Sequence, residues 1–249
     1  MFFNLFRKKK KDTEHQGVDF STVGADMHSH LIPGIDDGAQ TMEESIILIK
    51  RMMDFGFKKV ITTPHVMADY YRNTSDGIRR GLDGVREELQ KQQVEIEIDA
   101  AAEYYLDETL ENKIRKGDIL LIGGKFLLFE LSFVNYPQNL MDTISKIKDK
   151  GYTPLLAHPE RYSYLASDIE NYHRIKNAGC YLQLNTTSLT GFYGKTAQKA
   201  AEELVDAFLI DFIGTDLHKM KHVQMLDHAL RLPYVHKLLS NYPLQNQML

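Results

Sequence analysis

DMHSHLIPGIDDGA, residues 26–39, places two histidines two positions apart, a Pro-Gly bend and two adjacent aspartates within one turn. The turn grows out of a short apolar run, VGADM at 23–27. Six similar runs follow: KVITT at 59–63, VEIEIDAA at 94–101, FLLFEL at 126–131, TPLLA at 153–157, YLQLN at 181–185 and DFIGT at 211–215. Each is short and bounded by polar or turn residues, as a strand should be. Helical stretches are predicted between most of them, at 42–55, 76–92, 137–150, 168–178 and 195–208. The first begins after Thr41, an N-cap with Glu44 three residues on, and sets Ile46, Ile49 and Met53 on one face. Gly56, Gly151 and Gly179 stand where C-capping glycines belong.

Strands alternating with helices predict parallel strands joined by right-handed crossovers. Seven such units predict an α/β fold, a closed or nearly closed seven-stranded (β/α) barrel in a single domain over 21–249, with an open doubly wound sheet as the alternative. In such a barrel the chemistry gathers where the strands end. His28, His30, Asp36 and Asp37 follow the first run, and His65 follows the second. Glu103 follows the third, and Glu130 closes the fourth. His158, Glu160 and Arg161 follow the fifth, and Asp216 and His218 the seventh. Only the sixth, ending at Asn185, offers no charged ligand. Five of the ten histidines thus fall just after apolar runs, on one side of the expected barrel. The other five, His15, His173, His222, His228 and His236, lie in the first residues or on helix-like segments and read as solvated or satisfied.

Nine of these residues are candidate metal ligands: His28, His30, Asp37, His65, Glu103, Glu130, His158, Asp216 and His218. Mixed imidazole and carboxylate donors suit Mn, Fe or Zn rather than Ca. Nine are too many for one ion and suit two or three. Arg161 binds no metal and stays protonated. Beside a cationic cluster it calls for an anion, and a guanidinium grips phosphate well; the structural alternative is an ion pair with Glu160 or another acid.

The 249 residues carry a net charge of −4 with acids and bases mixed, which argues against a nucleic-acid partner. The single cysteine, Cys180, permits no intrachain disulfide and fits a reducing, cytoplasmic compartment. Thr186 stands where a cysteine-nucleophile phosphatase would need its arginine. No apolar run is long enough to span a membrane. Residues 1–20, opening MFFNLFRKKKKD, read as a flexible basic tail, with a weak contact to anionic membrane as its functional reading.

These residues, in this order, resemble the PHP (polymerase and histidinol phosphatase) superfamily, and within it the CpsB/CapC-type bacterial protein-tyrosine phosphatases. The likeness rests on DMHSHLIPGIDDGA, TPH at 63–65, Glu103, the Glu of FELS at 130, HPERY at 158–162 and GTDLH at 214–218, and covers about residues 24–220. It implies a distorted seven-stranded barrel holding up to three metals, often Mn. His28, His30, Glu103 and Asp216 would hold one, Glu103, Glu130 and His158 a second, and Asp37, His65 and His218 a third. Arg161 would bind phosphate, with His158 and Asp216 beside it in the catalytic set. Asp36 has no role by the motif. The implied reaction is hydrolysis of phosphotyrosine, on the tail of a bacterial tyrosine kinase that controls capsule or exopolysaccharide synthesis. Tyr70, Tyr71, Arg72, Phe133, Tyr136, Tyr162, Phe192 and Tyr193 are candidates for the walls of a phosphotyrosine slot. A histidinol-phosphate phosphatase is the nearest alternative; an amidohydrolase-type enzyme and a metal-stabilised binding module stand further off.

Overall fold

All seven expected runs become strands, but they do not close into one ladder. The computed structural model describes residues 18–249; residues 1–17, most of the expected tail, lie outside the described residues. Packing begins with Phe20, which is buried and stacked on Phe57 with ring centroids 4.9 Å apart. Asp19 caps the short turn Phe20–Thr22.

The strands are β1 (Ala25–Asp26), β2 (Lys59–Thr62), β3 (His65–Val66), β4 (Glu97–Ala100), β5 (Glu103–Tyr105), β6 (Phe126–Glu130), β7 (Thr153–Ala157), β8 (Tyr181–Asn185) and β9 (Phe212–Gly214). Every ladder is parallel. They form two sheets, β1-β2-β4 and β3-β5-β6-β7-β8-β9. After a break of two residues, the second and third runs are therefore each followed by a further short strand in the other sheet. Pro64 lies at the first break and brings no N–H to a ladder. The pieces after the breaks carry His65 and Glu103 in direct register with each other. The first and last runs share no ladder among the described residues; Thr215 N donates to Asp26 Oδ1 at 2.9 Å, and just past the runs an isolated parallel bridge joins Ser29 to Leu217. The result is an α/β fold with two parallel sheets in place of the single closed ladder.

The helices are α1 (Met42–Asp54), α2 (Ser75–Lys91), α3 (Glu108–Lys116), α4 (Leu140–Asp149), α5 (Glu170–Asn177), α6 (Lys195–Asp206), α7 (Met220–Ala229) and α8 (Pro233–Asn241). Thr41 caps α1 as expected, its hydroxyl accepting from Glu44 N, while the Glu44 carboxylate accepts from Gln40 N rather than from the cap itself. Met52, not Met53, joins Ile46 and Ile49 as a buried residue of α1. Gly56, Gly151 and Gly179 all adopt positive φ just past α1, α4 and α5.

Alternation along the strands divides the core in two. Phe126 and Leu128 of β6, Leu155 and Ala157 of β7 and Phe212 of β9 join Met27, Ile61 and Ala101 in a small cluster. Their neighbours Leu127, Phe129, Leu156, Leu182, Leu184 and Ile213 belong to a larger cluster with the apolar faces of the helices. Glu130 continues the Phe126–Leu128 side of β6, and Gln183 and Asn185 continue the Tyr181 side of β8. Polar groups at the C-terminal ends of the strands thus cover the small cluster.

Candidate metal centre

The nine candidate ligands converge on one place. Glu103, fully buried, is its hub. Its Oε2 lies 3.2 Å from His28 Nε2, 3.5 Å from His30 Nε2 and 3.1 Å from His65 Nδ1. Its Oε1 lies 2.9 Å from His158 Nε2. Asp216 Oδ1 lies 3.5 Å from His28 Nε2 and 3.4 Å from His30 Nε2. Glu130 Oε1 is 3.1 Å from His65 Nδ1. Asp37 Oδ1 is 3.5 Å from His65 Nε2 and 3.4 Å from His218 Nε2.

These spacings fit a metal. Two donors on one ion at bond lengths of about 2.0–2.2 Å sit roughly 3.0–3.5 Å apart in tetrahedral or octahedral arrangements. Three overlapping sets each offer one donor atom per residue within 4.8 Å of one another: His28, His30 and Glu103; His65, Glu103 and Glu130; and His30, Asp37, His65 and His218. Glu103 Oε2 and His65 Nδ1 are buried without a hydrogen bond, although both are crowded by charged or chargeable atoms. Buried polar atoms left so are costly unless a cation satisfies them.

The electrostatics agree. Burial opposes ionisation of Glu103, but the imidazoles of His28, His65 and His158 outweigh it and hold the carboxyl well below its usual range. Burial likewise works against Asp216, and His218, His28, His30 and Arg161 together hold it low. His28 is pulled the other way: burial disfavours its charge, yet Glu103 and Asp216 raise it to about 9. Without another cation, protons are drawn onto His28, His30 and His65 to neutralise the carboxylates, while burial and Arg161 work against a charge on His158.

A layer of neutral and acidic groups fixes the rings. Gln183 Oε1 is 2.7 Å from His28 Nδ1, and Asp36 Oδ2 is 2.8 Å from His30 Nδ1. His218 Nδ1 lies 2.8 Å from the carbonyl of Asp216. Each contact turns Nε2 inward. Asn185 Nδ2 donates to Asp216 Oδ2 at 2.7 Å. Strand β8, without a charged ligand, therefore positions those of its neighbours. The signal lay in the two amides of YLQLN, on the same face of an apolar strand. Asp36 is not among the close donor sets; it ties His30 to Gly38 N and His65 N. Gly38 is needed for that turn: a Cβ there would lie 2.1 Å from His30 O and 2.5 Å from His30 Cβ.

Two of the donors come from strained backbone. His158 has φ 33° and Asp216 φ 50°, a left-handed region costing a non-glycine residue about 1–2 kcal/mol. The turn at 158–161 is held by buried Glu160, whose Oε1 accepts from Asn185 N at 3.1 Å and Ser188 Oγ at 2.6 Å. Arg161 pairs with Asp216, Nη1 to Oδ2 at 3.0 Å, rather than with Glu160. Its guanidinium lies over Tyr193 at 4.1 Å and Phe133 at 4.6 Å.

Beside the donors is a cavity of about 250 Å³, lined among others by Asp37, Glu130, Phe133, Arg161, Tyr193 and His222. Of the candidate wall residues, Phe133 and Tyr193 line it directly. Tyr71 stacks on His65, and Phe192 meets His222 edge-on. Tyr162 is buried, its hydroxyl accepting from Leu131 N at 2.9 Å, and Tyr136 packs against Tyr164. Tyr70 is largely exposed. Lys219 and His222 also line the cavity and were not expected there; the spacing of four between His218 and His222 was the available signal.

Residues 24–236 match the model of the family described as capsular polysaccharide synthesis, CpsB/CapC. The chain belongs to the CpsB/CapC family. Proteins similar to it include the tyrosine-protein phosphatase YwqE of Bacillus subtilis, 28% identical over 89% of this chain and 92% of that one. The tyrosine-protein phosphatase CpsB of Streptococcus agalactiae is 30% identical over 78% of this chain and 83% of that one. Among solved structures, one from a study of B. subtilis YwqE and Streptococcus pneumoniae CpsB, described as unique metal-dependent tyrosine phosphatases, matches with a TM-score of 0.78. It is 26% identical, covering 90% of this chain and 94% of that one. No helix among the described residues is long and apolar enough to cross a membrane.

Proposed function

We propose that this CpsB/CapC protein is a metal-dependent protein-tyrosine phosphatase. The observation that carries the reading is the convergence of nine nitrogen and oxygen donors beside a cavity into which one arginine, held between two aromatic rings, is directed. We assign His28, His30, Asp37, His65, Glu103, Glu130, His158, Asp216 and His218 as ligands of two or three ions, with Mn the first choice and Fe or Zn compatible. Metal held there supplies Lewis acidity, drawing charge from the phosphoryl group and easing deprotonation of water.

The chain's own residues do the rest. Arg161 donates to the non-bridging phosphoryl oxygens, and its contact with Asp216 sets its direction. Phe133 and Tyr193 fix the guanidinium and give the substrate ring apolar walls. His158 and Asp216 orient the reacting groups from the two strained turns. A phenolate leaves with a pKa of about 10, so its departure needs less proton assistance than that of an alkoxide. Cys180 takes no part: it is buried, and burial pushes its thiol well above the ordinary value. The substrate we assign is the phosphotyrosine tail of a bacterial tyrosine kinase of capsule or exopolysaccharide synthesis, met in the cytoplasm. We also read the two sheets as arcs of one distorted seven-stranded barrel, because β3 follows β2 and β5 follows β4 after only two residues and Ser29 bridges to Leu217.

The test is Mn-dependent phosphate release from a phosphotyrosine peptide, with histidinol phosphate alongside. Phosphotyrosine should be preferred, and Arg161→Ala should lower kcat/KM by about 10²- to 10³-fold without loss of metal. Preference for histidinol phosphate would overturn the substrate assignment, and full activity in the variant would overturn the role of Arg161.

A further inference from the structure

His222 stands on the first turn of α7, with its ring on the cavity that Arg161 lines. Its Nδ1 accepts two backbone N–H groups, from His218 at 3.0 Å and from Lys219 at 3.3 Å. A ring nitrogen that accepts carries no proton, so the proton of the neutral ring is on Nε2. Protonating Nδ1 would break both bonds and uncap α7. Among the described residues no hydrogen bond occupies Nε2. Phe192 and His218 meet the ring nearly edge-on, at 82° and 70°, and restrict its rotation.

We propose that His222 is a phosphate-binding residue: a fixed, uncharged Nε2–H donor to a phosphoryl oxygen in the cavity that Arg161 lines. The inference rests on the phosphatase reading and adds a residue that the ligand set and Arg161 do not include. A phosphate monoester presents three non-bridging oxygens, and Arg161 is already partly engaged by Asp216. A neutral donor directs one of those oxygens without competing for Glu103 or Asp216, as a further cation would.

Two substitutions separate the two nitrogens. His222→Asn keeps an acceptor close to the Nδ1 position, so the cap survives and the donor is lost. His222→Gln keeps an amide N–H close to the Nε2 position, so the donor survives, and at the third helical position its carbonyl can still accept from Lys219 N. The full-length, metal-loaded protein is titrated with inorganic phosphate, and kcat and KM are measured on a phosphotyrosine peptide. His222→Asn should bind phosphate about 10- to 100-fold more weakly, with wild-type melting temperature and metal content. His222→Gln should recover much of that affinity. Unchanged phosphate affinity in His222→Asn overturns the proposal. Equal weakening in both variants, with both melting lower, also overturns it and leaves His222 a helix cap alone. Nitrogen NMR gives a check free of activity: a proton on Nδ1 refutes the proposal. Phosphate binding that depends on His222 in a protein that does not hydrolyse phosphotyrosine upholds the inference and removes the substrate assignment instead.

Discussion

Replacing Glu160 with glutamine should change how stability depends on pH. Glu160 is buried beneath the 158–161 turn, and burial raises its carboxyl from an ordinary 4.5 to about 7, against the pull of Ser188, Asn185 and Arg161. The folded protein thus holds the proton more tightly than the unfolded chain. The protonated form contributes stability that is fully present below pH 4.5 and is lost as pH rises to about 7. At about 1.36 kcal/mol per pH unit, that interval amounts to about 3 kcal/mol. Glutamine keeps the acceptor for Asn185 N and Ser188 Oγ and does not titrate. Its second amide hydrogen adds a cost that is the same at every pH. Urea unfolding of the metal-free protein, at pH 5, 6, 7 and 8 in chelator, should therefore show the variant gaining on the wild type by about 2 kcal/mol between pH 5 and 7 and by little beyond. Other titrating groups, such as Asp26, which burial raises to about 7, are common to both proteins and cancel in the difference. A constant difference across the series would refute the reasoning, because Glu160 would then be ionised in the folded state throughout.

Two other outcomes follow from the metal centre. In Gly38→Ala the new Cβ meets backbone atoms of His30, so the 36–39 turn must move and release Asp36 and Asp37; metal affinity should fall about 10- to 100-fold by competition with a chelator, and wild-type affinity would show that the turn is not what aims His30. Because His28 is protonated to about pH 9 when no metal is bound, metal binding at pH 7 should release protons and weaken as pH falls; calorimetry in buffers of different ionisation enthalpy measures the release, and identical heats would refute it.

Much of this was legible in the sequence for a physical reason. Strands buried on both faces read as short apolar runs, and their ends expose whatever follows. Most of the candidate donors are legible that way: His28, Glu103 and His158 stand just past such runs, and Glu130 closes one. The breaks were not legible. They depend on Pro64, which removes one ladder donor, and on β3 and β5, whose two and three residues are too few to show a period. Helix α3 escaped notice because only Leu110 and Ile114 form its buried stripe among many charges. The supporting amides of Gln183 and Asn185 carry no charge and no motif. His222 looked like any helical histidine until the fold set its ring against His218.

The donor atoms belong to residues from His28 to His218, drawn from six separate strand ends. Almost no two of them are neighbours in the chain, so no short fragment contains a finished chelate. The ladders must reach register first, because a slip of one residue turns Glu130 or His65 away from the others. Metal held by these donors would therefore arrive last and act as a lock on a completed fold rather than as a template for it. The metal content per chain of a preparation would then count the molecules whose strands have reached native alignment, and a misfolded fraction would show itself as a deficit of ions before any activity is measured.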